Sequence, residues 1–270
     1  LGLHLVHHEL TAEAGPTESL RASLFPEVDA LLAALPTPER QGLLRLAAHR
    51  APVEIGQALD ALGGPEPLAS LAAAGLVARE IERWQVPAAV ALSARRAASA
   101  DALHAADTAH ADVVLTQADR AWASATTRLL ALRPLLDDLE AVARRASARG
   151  DLQRADRAAA YCGEVLERDG SPERALRLVA ALRAGGSTAR AGLIEGAALF
   201  LLGRLDDAEQ PLRQAHAHAL DASDEALATQ AARRLVEALL RRGRLPDAAA
   251  LLAGQPEPTA ALPLAHHLSA

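Results

Sequence analysis

Apolar residues recur at three- and four-residue intervals along most of this chain, the spacing that lines one face of an α-helix. Leu43, Leu44, Leu46 and Ala47 are one such stripe. Only Leu76–Pro87 alternates with the period of a strand, setting Val77, Arg79, Ile81 and Arg83 against their neighbours. Gly and Pro clusters cut the pattern into pieces. It predicts helices near Leu3–Ala12, Thr17–Ser23 and Pro26–Ala34. The next opens at Thr37-Pro38-Glu39, with Thr37 as cap, Pro38 at the first helical position and Glu39 at the positive helix end. Helices over Val53–Leu62 and Pro67–Ala74 end at Gly63-Gly64 and Gly75. A small hairpin then leads to a helix over Ala88–Ala98. Three short helices, a hairpin and another helix is the element order of a winged helix. The fold class expected is therefore mostly α, a winged-helix domain followed by an α-helical hairpin array. The domain bounds are a short helical segment at 1–35, the winged helix at 36–98 and the helical array at 99–270.

The array carries a recurring phrase. Gly150-Asp151-Leu152-Gln153-Arg154-Ala155, Gly203-Arg204-Leu205-Asp206-Asp207-Ala208 and Gly243-Arg244-Leu245-Pro246-Asp247-Ala248 each follow one helix and open another. A turn between antiparallel helices favours a residue at ease with positive φ, which points to Gly150, Gly203 and Gly243. Close approach of the two helices needs a small residue one turn in, which points to Ala155, Ala208 and Ala248. Around the second copy, Gly196, Leu199, Ala208, Leu212 and Ala215 match the offsets of a tetratricopeptide repeat. The interval between the first two copies has room for an extra helix over Ser171–Arg183. Arrays of this kind bind a peptide or partner protein on their concave side.

Composition narrows the chemistry. Of the 270 residues 67 are Ala, and Lys, Met and Asn are absent. All 28 basic residues are therefore Arg, and no P-loop lysine, Schiff-base lysine or N-glycosylation site is present. The absence of any Met, the initiator included, predicts a piece of a longer protein. The single Cys162 excludes an internal disulfide and a cysteine zinc cage. With no signal peptide the expected compartment is the cytoplasm. The longest apolar stretch, Ala191–Gly203, is too short for a membrane span and carries Glu195. A net charge of −6 disfavours binding to nucleic acid or anionic membrane.

The order of these pieces resembles the C-terminal half of bacterial STAND-type signal-transduction ATPases. In that family a P-loop ATPase and helical lid precede a winged helix and tetratricopeptide-like repeats. Leu1-Gly2-Leu3-His4-Leu5 with Thr17–Leu24 is similar to the end of the lid. Leu35-Pro36-Thr37-Pro38-Glu39-Arg40 resembles the start of the winged helix, and Leu68–Val77 resembles its third helix and first wing strand. Arg83-Trp84-Gln85-Val86-Pro87 resembles the wing, and Arg133–Ala143 with Ala148-Arg149-Gly150-Asp151 the first repeat. The resemblance implies a non-catalytic regulatory and sensor region. Its repeats would bind a protein or small molecule and its upstream partner would be the ATPase domain. It implies no cofactor here: without Lys there is no Walker motif, and Pro87 stands where many relatives place a nucleotide-sensing His. The alternative is a transcriptional regulator whose winged helix reads DNA and whose repeats set the oligomeric state. Against it, the segment Pro65–Ala74 that would read the groove has no basic residue, and 36–98 holds seven Arg against six acids.

No catalytic or metal-ligating set stands out. His4, His7 and His8 share a helical face, and His216 with His218 and His266 with His267 are pairs, but no His-Glu-x-x-His motif is present. His104 and His110 read as surface histidines. Asp137-Asp138 and Asp206-Asp207 read as solvated helix starts, and Cys162 as a small core residue. Trp122, Tyr161 and Phe200 are either core anchors or markers of a groove. Arg233, Arg234, Arg241, Arg242 and Arg244 form the densest basic stretch. Arg234, Arg241 and Arg242 would gather on a helix over Ser223–Arg242, as a site for an acidic partner segment or as a solvated face.

Overall fold

The computed structural model of the protein describes residues 25–253 apart from 125 and 188. The helices expected at Leu3–Ala12 and Thr17–Ser23, with His4, His7 and His8, lie outside the described residues. So does the tail from Gly254, with His266 and His267. The chain forms two compact units that divide after Ala106.

The first unit runs α1 (Pro26–Ala34), α2 (Thr37–Leu46), β1 (Val53–Glu54), α3 (Ile55–Leu62), α4 (Pro65–Ala73), β2 (Ala78–Glu80), β3 (Arg83–Gln85) and α5 (Ala88–Ala97). Leu43, Leu71 and Leu76 are fully enclosed at its centre. Leu32 of α1 joins the same core, and Asp29 of α1 pairs with Arg96 of α5 at 2.5 Å. Residues 25–35 are thus part of this unit rather than a separate piece. Two element boundaries differ from expectation. Pro36 precedes the first helical residue Thr37, whose side chain therefore does not cap α2. Val53 and Glu54 leave the predicted helix to pair with Trp84 and Arg83, giving an antiparallel sheet in the order β1-β3-β2. Burial of the β-branched Val53 favours the strand. The Glu54 backbone N–H then donates to the Gln57 side-chain oxygen at 3.1 Å, opening α3.

The hairpin between β2 and β3 turns on Ile81, which sits at φ +56° and is 92% exposed. Arg79 Nε donates to the Ile81 carbonyl at 2.9 Å and holds the turn. A β-branched residue in the left-handed region costs about 1–3 kcal/mol. Replacing Ile81 by Gly should raise the urea midpoint by the equivalent of about 1 kcal/mol. An unchanged or lower midpoint would show that the turn is not strained.

The second unit takes in α6 (Ala100–Ala123) beyond Ala106, then α7 (Arg128–Leu132), a 3₁₀ turn (Arg133–Leu135), α8 (Leu136–Ala148), α9 (Leu152–Arg168), α10 (Pro172–Ala184), α11 (Ala189–Leu201), α12 (Leu205–Asp221), α13 (Glu225–Arg241) and α14 (Leu245–Ala253). The six junctions from α8 to α14 are built alike. Each places one residue at positive φ: Gly150 at +74°, Gly170 at +63°, Gly186 at +96°, Gly203 at +72°, Ser223 at +57° and Gly243 at +72°. The next backbone N–H donates five residues back, as Asp151 does to Ala146 at 3.0 Å and Arg204 to Leu199 at 2.9 Å. This bond satisfies a carbonyl that the helix end leaves open. Five residues after each turn residue stands a buried alanine: Ala155, Ala175, Ala191, Ala208, Ala228 and Ala248. The phrase legible in the sequence marks three of six equivalent turns. Alternate turns, from Gly150 to Gly186, Gly170 to Gly203, Gly186 to Ser223 and Gly203 to Gly243, are 33 to 40 residues apart.

Consecutive helices pack as antiparallel pairs, and alternate helices pack side by side: α8 on α10, α9 on α11, α11 on α13. Small residues set the distances. A Cβ on Gly196 would come within 2.3 Å of Leu212, and one on Gly185 within 2.3 Å of the Ser147 carbonyl oxygen. In the row α9–α11–α13, Arg234 of α13 pairs with Glu167 of α9. The contact reaches past α11 and makes this row the inner side of the stack. No helix among the described residues is long and apolar enough to cross a membrane.

Gly196→Ala should therefore cost about 1–3 kcal/mol through overpacking against Leu212. Gly203→Ala has open space around it and should cost about 1 kcal/mol, from backbone conformation alone. Urea denaturation of both variants checks the order; a reversed order would contradict close packing at Gly196.

Candidate functional site

The inner row carries the unit's best-organised polar surface. At its α9 end it meets α6, which runs in the same direction as α9. Asp112 pairs with Arg154 at 2.9 Å, and Asp119 further along pairs with Arg157 and accepts from the Tyr161 hydroxyl. Arg154 also reaches Asp151 at 2.9 Å, the residue whose side chain caps α9 by accepting from the Arg154 backbone N–H at 3.2 Å. The Arg154 hydrogen bond holds the Asp151 carboxyl below its ordinary range. Burial, helped by Asp119 as acceptor, pushes the Tyr161 phenol up. A groove of about 330 Å³ between α6 and α9 is lined by Asp112, Leu115, Thr116, Gln153, Arg154 and Arg157. Further along, Arg190 of α11 donates to Gln230 of α13 at 3.3 Å, and Arg234 pairs with Glu167 and Glu237.

Asp107 and His110 of α6 tie that helix to α8 and to the turn that follows it. Asp107 accepts from Arg145 at 3.1 Å and from Arg149 at 2.6 Å. His110 Nε2 lies 3.1 Å from an Asp138 oxygen, with side chains 1% and 5% exposed. The expected surface position for His110 and solvated position for Asp138 are therefore both corrected. Each falls on the apolar stripe of its helix, alongside Ala111 and Val114 on α6 and Leu139 and Val142 on α8, and that register was the available signal. Asp137, by contrast, is exposed and pairs with Arg174. His104 and His218 are exposed, and His216 is half-buried.

The three rare large residues separate. Tyr161 is buried, and Trp122 meets it edge-on with centroids 5.4 Å apart while remaining partly exposed. Arg128 lies 4.7 Å above the Trp122 ring. Phe200 is half-buried beneath Arg241 at 5.5 Å. Cys162 is enclosed; burial, then the charge of Glu140, raises its thiol well above the ordinary value. Such a thiol is a poor nucleophile.

The basic stretch is divided by its partners. Arg234 faces Glu167 and Glu237 on the inner row. Arg241 lies over Phe200. Arg242 binds Asp206 at 2.5 Å and also Glu209. The helix that carries them begins at Glu225, not Ser223, because Ser223 is the turn residue and Asp224 the cap. Glu209 of α12 gathers three guanidiniums, those of Arg213 at 2.9 Å, Arg244 at 2.6 Å and Arg242. Asp206 and Asp247 pair with the outer sides of Arg242 and Arg244, so the cluster balances its own charge.

Comparison of the chain with models of known families, with curated proteins and with solved structures finds no match.

Burial raises the Glu209 pKa, but hydrogen bonds from Arg213 and Arg244 outweigh it and leave the carboxyl below its ordinary 4.5. A depressed carboxylate contributes stability above its unfolded pKa and loses it as pH falls through the folded value. The wild type should lose stability below about pH 4.5 partly through this residue. Glu209→Gln should be less stable at neutral pH and show a shallower loss in that acid window. Parallel curves for the two proteins would contradict the assignment.

Proposed function

We propose that this chain is the non-catalytic regulatory and sensor region of a STAND-like signalling ATPase. Its first unit would be the winged helix. Its second would be an array of tetratricopeptide-like hairpins that binds a protein or small-molecule partner and passes that event to a nucleotide-binding domain. One observation carries the reading. A helix–strand–helix–helix–hairpin unit with sheet order β1-β3-β2 is followed in the chain by six like turns, alternate ones 33 to 40 residues apart. The interval suits helical-hairpin repeats of about 34 residues. The inner row, with its groove and ordered charges, is the natural binding face for such an array.

The coding sequence preceding Leu1 tests this reading. Walker A and Walker B motifs within a few hundred residues would support it; a preceding region without them would overturn it.

The second reading, a DNA-binding regulator, meets a specific obstacle. α4 would be its reading helix, and Pro65–Ala73 carries no basic residue. Phosphate contacts need a basic face and give affinity that falls steeply with salt. Fluorescence anisotropy with mixed-sequence duplexes should therefore show no salt-dependent binding. A steep salt slope would favour the regulator.

A further inference from the structure

Arg154, Arg157, Arg190 and Arg234 are the arginines of the inner row with donors in or beside the groove and the α11–α13 contact, and all but Arg190 have carboxylate partners. Arg154 has Asp112 and Asp151, Arg157 has Asp119, and Arg234 has Glu167 and Glu237. Arg190 differs. No carboxylate among the described residues accepts from it. Its Nε is enclosed without an acceptor, and its Nη1 donates only to the Gln230 amide oxygen at 3.3 Å.

The carboxylates close enough to feel its charge are Asp156 and Asp224, and both are engaged elsewhere. Asp156 accepts from the Ser187 hydroxyl at 2.6 Å. Asp224 caps α13, accepting from the Leu227 backbone N–H at 2.9 Å. Arg190 also stands in the first turn of α11, where the helix dipole disfavours a cation and favours an anion. Burial lowers its pKa, the opposite direction to Arg154, Arg157 and Arg234. Ala189, Leu193, Leu227 and Ala228 form an apolar cluster around this helix start. A half-buried guanidinium beside an apolar floor, with donors left over, is costly to the fold and suited to a bound anion.

We propose that Arg190 anchors an anion subsite on the inner row, taking the carboxylate or phosphate group of a ligand. The guanidinium supplies the charge-assisted hydrogen bonds and the α11 N-terminus adds its dipole. Gln230 holds the planar fork in place. This assignment rests on the reading of the array as a ligand-binding element, and it names the chemistry that element would recognise.

The test uses the full chain labelled with ¹⁵N-arginine, with the Arg190 Nε–Hε signal assigned by its loss in Arg190→Leu. Inorganic phosphate and acetate are titrated against chloride at constant ionic strength. The expected result is a saturable shift of the Arg190 signal while those of Arg154, Arg157 and Arg234 stay fixed. Saturation by phosphate alone assigns the phosphate class, and saturation by acetate alone the carboxylate class. No shift, or one reproduced by chloride, overturns the subsite. A second readout guards against a merely structural role. Arg190→Leu should keep or raise the melting temperature, whereas Arg234→Leu should lower it. A drop for Arg190→Leu as large as that for Arg234→Leu would also overturn the proposal. If Arg190 stays silent in a protein whose array still governs nucleotide turnover, the subsite fails and the sensor reading stands. If Arg190 saturates where turnover ignores the array, the sensor reading fails and the subsite stands.

Discussion

The second unit depends on one local device: a left-handed residue, a backbone bond five residues back, and a buried alanine one turn into the next helix. The left-handed residue reverses the chain within a few atoms. The bond satisfies a carbonyl that the helix end would leave unpaired. The alanine lets the new helix lie close against the old one. In a chain with so few aromatics, close approach of backbones replaces the burial of large side chains. Gly185 against Ser147 and Gly196 against Leu212 carry that approach to its limit, since neither glycine has room for a Cβ. Ser223 shows what the device requires. It is a turn residue without glycine, at φ +57°, and Asp224 after it supplies a side-chain cap for α13.

Much of this was legible in the residues, and the parts that were not have physical reasons. Helix positions followed from apolar spacing because helical periodicity is local. Three turns were visible because Gly, Leu and Ala stand together in Gly150–Ala155, Gly203–Ala208 and Gly243–Ala248. The breaks at Gly170 and Gly186 are legible from the glycines that flank Ser171–Arg183, but not as copies of the phrase, because Pro172 and Thr188 replace the leucine; the turn at Ser223, with Glu225 in that place, has no glycine to mark it. Only the turn residue and the alanine are demanded by the geometry. Strand β1 was missed because two residues have no periodicity; Val53 is a strand residue only through its pairing with Trp84. Partners of charged residues were the least legible. Arg234 and Arg242 are eight residues apart, yet one meets α9 and the other α12. His110 could have been read inward from its stripe, but its partner Asp138 lies 28 residues away.

The inner row joins structure to the proposed function. Its ion pairs do more to order the surface than to hold the stack, because partly exposed pairs contribute little stability. What they achieve is a face whose cations are matched by acids, with the guanidinium of Arg190 left over. The Glu209 cluster on α12–α14 is the contrasting case. There three arginines meet three carboxylates, and the charge closes on itself. The first arrangement leaves a cation for a ligand, and the second leaves none.

The measurement that bears most directly on the sensor account is ATP turnover by the whole protein encoded at this locus, compared with a form lacking the second unit, residues 107–270. The account predicts that removing the array changes basal turnover and abolishes its response to ligand. Identical turnover and an identical response in the two forms would contradict it.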